Sequence, residues 1–420
     1  MIEATFRTER ARLIAGLARL VRNVDLAEEL AQDALVTALA EWPKTGVPAN
    51  PGAWLMAVAK RRALDALRRD KMRATKHEEI ARTLDGTFDG AAEAIAAIAA
   101  IDDDLGDDLL GLLFTACHPI LSPDARAALT LRVVGGLTNE EIARAFLSSE
   151  TTIAQRIVRA KKTIAKAGLN FETPRGAERA ARLPSVLEVI YLLFNEGYAA
   201  TAGDDLLRPD LCLEAQRLGR ILVGLIPDDV PEKAEVLGLQ ALMELQASRL
   251  GARTGPHGVS IPLTQQDRSR WDSLLIRRGL QALARAEALN SEGYYVLQAA
   301  LAACHARAHR AEETDWPRIA SLYDRLRVVA PSPVVDLHRA IAHSMAFGPE
   351  EGLRLVAEIA DSDSDALRNY APLPAARGDF LFRLGRLTEA RAEFEAAATR
   401  SRNAQERTFL LARADACRSS

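Results

Sequence analysis

Apolar positions recur at three- and four-residue steps along almost the whole chain, the period of a helix with one buried face. Leu13, Leu17 and Leu20 set it over residues 9–22. Leu30, Ala34, Leu35 and Ala38 set it over 26–41, with Asp25 placed to cap and Glu28, Glu29, Gln32 and Asp33 elsewhere on the cylinder. Pro43, Gly46, Pro48, Pro51 and Gly52 then predict a loop over 43–52. A third helix, 53–75, carries Trp54, Leu55, Val58, Leu64 and Leu67 on one side and Lys60, Arg61, Arg62, Arg68 and Arg69 over much of the rest. Ser122-Pro123-Asp124 starts a further helix that ends at Gly135-Gly136. From 175 onward helix follows helix, interrupted at Pro227–Pro231, Gly251–Asp267, Pro331–Pro333 and Ser362–Ser364. No alternating run of strand type appears, so the expected fold class is all-α.

Charge divides the first part of the chain. The total is near neutral, at −3 over 420 residues, but residues 55–76 hold eight basic side chains against two acids. Residues 77–110 hold ten acids against one Arg, and 142–168 six basic residues against one acid. Two basic helical stretches about an acidic spacer suit two phosphate-facing modules; solvated helix faces are the plain alternative.

Residues 137–162, LTNEEIARAFLSSETTIAQRIVRAKK, read as a helix-turn-helix. Thr138 and Glu141 form a capping box. Ile142, Ala143 and Phe146 face a core, Leu147-Ser148 turns, and Ser149 caps a second helix with Ile153, Ile157 and Ala160 inward. Thr151, Thr152, Gln155, Arg156 and Arg159 then point outward, where such a helix meets base edges in the major groove. Arg159, Lys161, Lys162 and Lys166 continue along it towards backbone phosphates. An ordinary helical hairpin is the competing reading.

Two stretches, DLAEELAQDALVTALAEW (25–42) and AWLMAVAKRRALDALRRDK (53–71), resemble region 2 of bacterial extracytoplasmic-function sigma factors, members of the sigma-70 family. The helix-turn-helix is similar to that family's region 4. The resemblance implies a sigma region 2 at 1–76, an acidic linker at 77–104 and a region 4 at 105–170. It implies that Glu28, Glu29, Leu30, Gln32, Asp33 and Leu35 dock on core RNA polymerase. It implies that Trp54, Lys60, Arg61, Arg62, Asp65, Arg68 and Arg69 act at the −10 promoter element, and Thr151, Thr152, Gln155, Arg156, Arg159 and Lys162 at the −35 element. The loop 43–52 is proline-rich where the family captures a flipped base, and Arg61 stands where Asn is common, so the −10 sequence read stays open. Leu30, Leu35 and Trp54 are equally readable as core.

Residues 175–420 exceed what a minimal sigma factor needs. Gly378, Leu381, Gly385, Ala390, Phe394 and Ala397 have the spacing of a tetratricopeptide repeat, with a weaker echo at 337–359. YLLFNEGY (191–198), IPLTQQDRSRWD (261–272), GYYVLQAALAACHA (293–306), TDWPRIASLYDRL (314–326) and PSPVVDLHRAIA (331–342) resemble the long extension of one sigma-factor subgroup. In that subgroup the extension is thought to regulate or assist the sigma factor. Arg268, Arg270, Trp271 and Asp272, after the long loop, are candidates for a regulatory contact with a sigma region or a ligand, or for an internal anchor.

Chemistry of other kinds finds little support. Cys304, His305 and His309 lack the Glu of a metalloprotease helix, and the four cysteines have no paired spacing. No phosphate loop, dinucleotide fingerprint or nucleophile elbow occurs. No catalytic residue, metal or cofactor is expected. The start of the chain lacks the apolar core of a signal peptide, and no run reaches membrane-spanning length, so a cytoplasmic protein is expected. The expected function is a sigma factor regulated by its own C-terminal domain, with core RNA polymerase, promoter DNA and a protein or small-molecule regulator as partners. The alternatives are a helix-turn-helix regulator with a repeat-type sensor that does not act as a sigma subunit, and a helical scaffold.

Overall fold

The computed structural model describes residues 2–79, 105–146, 148–198, 209–255, 261–289, 291–362, 370–401 and 404–418. Most of the predicted linker, 80–104, and Leu147 lie outside them. The described residues form eighteen α-helices and no β-strand. The chain divides into two compact units, 1–190 and 191–420.

The first unit opens with α1 (Ile2–Val21), α2 (Val24–Thr45) and α3 (Pro51–Glu79), each packed on the other two. Leu13, Ile14 and Leu17 of α1 are fully buried at the centre, with Ala27, Ala31 and Ala34 of α2 and Leu55, Ala59 and Ala63 of α3 around them. Two boundaries differ from the pattern reading. The cap of α2 is Asn23, whose Oδ1 accepts from the Leu26 amide at 3.2 Å, not Asp25. Helix α2 also runs through Pro43 to Thr45, so the loop is shorter than 43–52. A proline so near a helix end forfeits one intrahelical bond and leaves few turns to disrupt. Gly46, at φ 84°, then ends the helix with its amide on the Trp42 carbonyl.

Next come α4 (Leu105–Ala116), α5 (Pro123–Val133), α6 (Asn139–Ala145) and α7 (Glu150–Lys166). Helix α5 starts at Ser122-Pro123-Asp124 as expected, with Ser122 as its cap. Both halves of the predicted capping box are present: Thr138 N to Glu141 Oε2 at 2.7 Å and Glu141 N to Thr138 Oγ1 at 3.1 Å. Ser149 Oγ accepts from Thr152 N at 3.1 Å, and Ile153, Ile157, Ala160 and Ile164 bury one stripe of α7. Helix α8 (Gly176–Tyr198) begins in this unit. Its Ser185 and Glu188 accept from the buried Arg126 of α5, and its Arg182 donates to the Phe114 carbonyl at 3.0 Å. Helices α4 and α5 are therefore braced by residues beyond 170.

In the second unit α10 (Lys233–Ala247) is almost wholly buried, between α9 (Pro209–Leu225), α11 (Ser273–Glu287) and α12 (Tyr294–Arg307). Gly238 is the point of closest approach: a Cβ there would stand 2.6 Å from the Val296 amide nitrogen. One turn earlier, Glu235 accepts from the amides of Tyr295 and Val296 at 3.1 and 3.2 Å, capping α12 from outside because its own N-cap is Gly293. The rest is a row of neighbouring helices, each packed on the next: α13 (Trp316–Val329), α14 (Pro333–Phe347), α15 (Pro349–Ser362), α16 (Pro372–Arg383), α17 (Leu387–Arg400) and α18 (Ala404–Ala416). In the pair α16–α17, Gly378 lets the Phe394 ring lie against the backbone, where a Cβ would meet it at 3.0 Å. All four cysteines are buried and free; burial pushes the thiols of Cys117 and Cys212 up to about 12. Among the described residues no helix is long and apolar enough to cross a membrane.

Candidate nucleic-acid interface

Helix α7 presents Thr151, Thr152, Gln155, Arg159 and Lys162 to solvent, with Arg156 half-buried. Thr152, Gln155, Arg156 and Arg159 converge on one side of a groove of about 400 Å3. Its other side is Ile120, Leu121, Ser122 and Ala125, at the start of α5. The sequence pattern marked Ser122 only as part of a helix start. Its place opposite Thr152, Gln155, Arg156 and Arg159 follows from the packing of α5 on α7. Arg156 is held 3.5 Å from Asp124, an exposed carboxylate that can yield to a base or phosphate.

The candidate residues of α3 are not one continuous face. Arg61, Asp65 and Arg68 are exposed, and Lys60 is half-buried. Trp54 packs edge-on against Trp42, ring centroids 5.3 Å apart. Arg62 turns inward to α2, with Nη1 2.6 Å from Asp33 and Nη2 2.9 Å from Thr37 Oγ1. A residue expected at DNA and one expected at polymerase thus hold each other. The side chain of Arg69 lies outside the described residues.

On α2, Glu29 and Gln32 are exposed, Leu35 is half-buried and Leu30 is core. Val36 and Leu39, 56% and 46% exposed, continue the Glu29–Gln32 face at steps of four and three. Periodicity marked neither, because it cannot tell which apolar stripe finds a partner within the chain.

Glu28 lies at the centre of an ion cluster that joins the two modules. Its carboxylate is 2.5 Å from Arg10, 3.3 Å from Arg132 and 2.5 Å from Lys161; Lys161 also reaches Asp25 at 2.7 Å. Arg132 in turn donates to the carbonyl of Leu137, the first residue of the helix-turn-helix segment. Lys161, read as a phosphate contact, is only 10% exposed. Arg19 and the buried Asp108 add a second link at 2.6 Å. Burial favours the neutral form of Arg10, and Glu28 opposes that by holding its charge. Replacing Arg132 by Gln, outside both candidate surfaces, cuts one strand of this cluster. The expected result is amide exchange in α7 faster by about tenfold, a loss of about 1.4 kcal/mol from a partly buried pair, read by hydrogen exchange; unchanged exchange would show that apolar packing alone holds α7.

Comparison with known proteins matches the same segments. Residues 5–73 match the family profile "Sigma-70 region 2" and residues 112–164 match "Sigma-70, region 4". Residues 182–287 match a family of unknown function. An uncharacterised protein of Rhizobium meliloti (strain 1021) is 40% identical over 415 residues, covering 99% of this chain and 95% of that protein. A probable ECF RNA polymerase sigma factor, SigI, of Mycobacterium tuberculosis (strain H37Rv) is 28% identical over 163 residues, covering 39% of this chain and 54% of that protein. No solved structure matches. With both region profiles in the order that α1–α3 and α4–α7 take along the chain, and a full-length relative showing that the helical remainder belongs with them, the chain is a member of the sigma-70 family, of the extracytoplasmic-function group, with a long C-terminal extension.

Proposed function

We propose that this chain is a promoter-specificity subunit of RNA polymerase, with no catalytic step of its own. The observation that carries the reading is the groove beside α7, where four predicted readout residues converge on a segment matched to region 4. Gln155 and Arg156 are the base-reading side chains of the −35 contact; Arg159 and Lys162 hold phosphates. Arg61, Arg68 and Lys60 track the −10 strand. Glu29, Gln32, Leu35, Val36 and Leu39 form the polymerase-docking strip, acidic at one end and apolar at the other.

Elements at −10 and −35 lie roughly 25 base pairs apart, roughly 80 Å along B-DNA. Lys161 of α7 lies 2.7 Å from Asp25 of α2. The two modules must part before both elements are engaged, so the Glu28 cluster is a closed form of the free chain, and docking on polymerase opens it. The C-terminal unit, read as tetratricopeptide-like from the Gly378–Phe394 packing, regulates this subunit.

Run-off transcription with core RNA polymerase tests the proposal. The full chain is expected to initiate from a cognate promoter. Val36→Asp together with Leu39→Asp should fold, since both positions are exposed, and should weaken binding to core by about 100-fold, the loss of two buried aliphatic contacts worth about 3 kcal/mol. Undiminished binding would move the docking strip elsewhere. A chain with neither core binding nor initiation would instead be a regulator of the helix-turn-helix type. Equal output per bound polymerase from the full chain and from a fragment ending at Ile190 would rule out regulation by the extension.

A further inference from the structure

Three arginines of the second unit gather with no carboxylate partner among the described residues. Arg249 and Arg253 both lie over the ring of Tyr198, at 5.5 and 3.7 Å from its centroid. Arg268 lies over the ring of Trp271 at 5.2 Å. Backbone contacts join the two halves: the Asp272 amide donates to the Ser248 carbonyl at 2.8 Å, Arg270 donates to the Gly251 carbonyl, and Arg268 reaches the His305 carbonyl at 3.0 Å; burial first, then the charges of Arg249 and Arg268, push the His305 pKa down to about 4. Most other arginines of this unit are ion-paired; among the described residues none of these three is. Arg253 donates to the Tyr198 carbonyl, Arg268 to the carbonyls of His305 and Ala308 and to Thr314 Oγ1, and among the described residues Arg249 has no side-chain hydrogen bond.

Nearby acids are already used. Asp267 accepts from the amide and hydroxyl of Ser269, Asp272 caps α11, and Glu313 accepts from the amides of His309 and Arg310. Glu312 and Glu313 act on Arg268 only at longer range. Four buried polar atoms in the same neighbourhood have no hydrogen-bond partner: Tyr198 Oη, Trp271 Nε1, Arg268 Nε and His305 Nδ1. Tyr198 and Trp271 are each more than nine-tenths buried. Each such atom is destabilising when left without a partner, and three cations in proximity add repulsion. A bound group of opposite charge would satisfy such a combination.

We propose that this cluster binds an oxyanion, the phosphate group of a small phosphorylated molecule. Arg249 and Arg253 supply charge, and Tyr198 Oη, Trp271 Nε1 and Arg268 Nε supply directed donors. Phosphate, with about two charges and three terminal acceptor oxygens, satisfies this set better than a carboxylate. The inference stands on the C-terminal unit alone, whatever the first unit binds. It gives residues 268–271, which the sequence singled out, a ligand to respond to.

The test is thermal unfolding of the full chain at constant ionic strength, titrated with inorganic phosphate, pyrophosphate, citrate or chloride. A saturable rise in Tm is expected with phosphate and pyrophosphate and none with chloride. Arg249→Gln breaks no side-chain hydrogen bond among the described residues; it should be at least as stable as the parent without anion and bind phosphate at least tenfold more weakly. Tyr198→Phe keeps the ring under Arg253 and should bind severalfold more weakly. Both variants leave the helix-turn-helix untouched, so phosphate bound there would show equally in parent and variant. A rise that does not saturate, or is unchanged in Arg249→Gln, overturns the site. Saturation with citrate alone overturns the phosphate assignment.

Discussion

Gly238→Val is expected to unfold the C-terminal unit at denaturant concentrations that leave the parent folded. The added Cβ would stand 2.6 Å from the Val296 nitrogen and 2.8 Å from the Tyr295 carbonyl carbon, both backbone atoms. No rotamer relieves that contact, so α12 must move away from α10. Movement also draws the amides of Tyr295 and Val296 off Glu235. Burial already raises the pKa of that carboxyl, and those amides offset part of the penalty. Overpacking costs about 1–3 kcal/mol, and losing hydrogen bonds to a charged group about 1.5–3 more. A total of about 4 kcal/mol is a large part of the 5–15 or so that a domain has. Urea unfolding of the full chain measures it. Gly224→Ala is the control: nothing lies within 4 Å of its Cβ position, and no loss is expected.

The second large effect is on transcription. Gln155→Ala with Arg156→Ala should reduce run-off from a cognate promoter by about 100-fold or more, since each good base contact is worth about 1–3 kcal/mol. Relaxed discrimination at the contacted base pairs should accompany the loss. Lys162→Gln should differ in kind: uniform weakening across sequences and a salt dependence shallower by about one unit of slope. If all of these variants behave alike, α7 holds phosphates without reading bases.

Helices were the most legible part of this chain because a one-sided stripe is written in local order. The capping residues Thr138, Glu141, Ser122 and Ser149 lie within three positions of the amides or side chains they bind, and each does as its spacing implies. Asn23 displaced Asp25 as the cap of α2 through a shift of two residues, a scale at which side-chain pattern is blind. What could not be read was the use of charge across distance. Glu28 and Lys161 are 133 residues apart, and no local rule pairs them. Arg62 looked like part of a basic stripe until Asp33, on another helix, claimed it. Val36 and Leu39 were unmarked for the converse reason: an apolar residue is informative only once its neighbours have failed to cover it.

Burial of all four cysteines carries a practical meaning. A thiol must ionise and be reached before it reacts, and Cys117 and Cys212, with pKa values near 12, do neither while folded. Thiol reagents therefore find little purchase on Cys117 and Cys212 in the native molecule. For the experimenter, a cysteine introduced on the surface of α7 or α2 would outpace every native thiol towards a spectroscopic label. Such a label would test whether the two modules part when polymerase is added, in an otherwise unaltered chain.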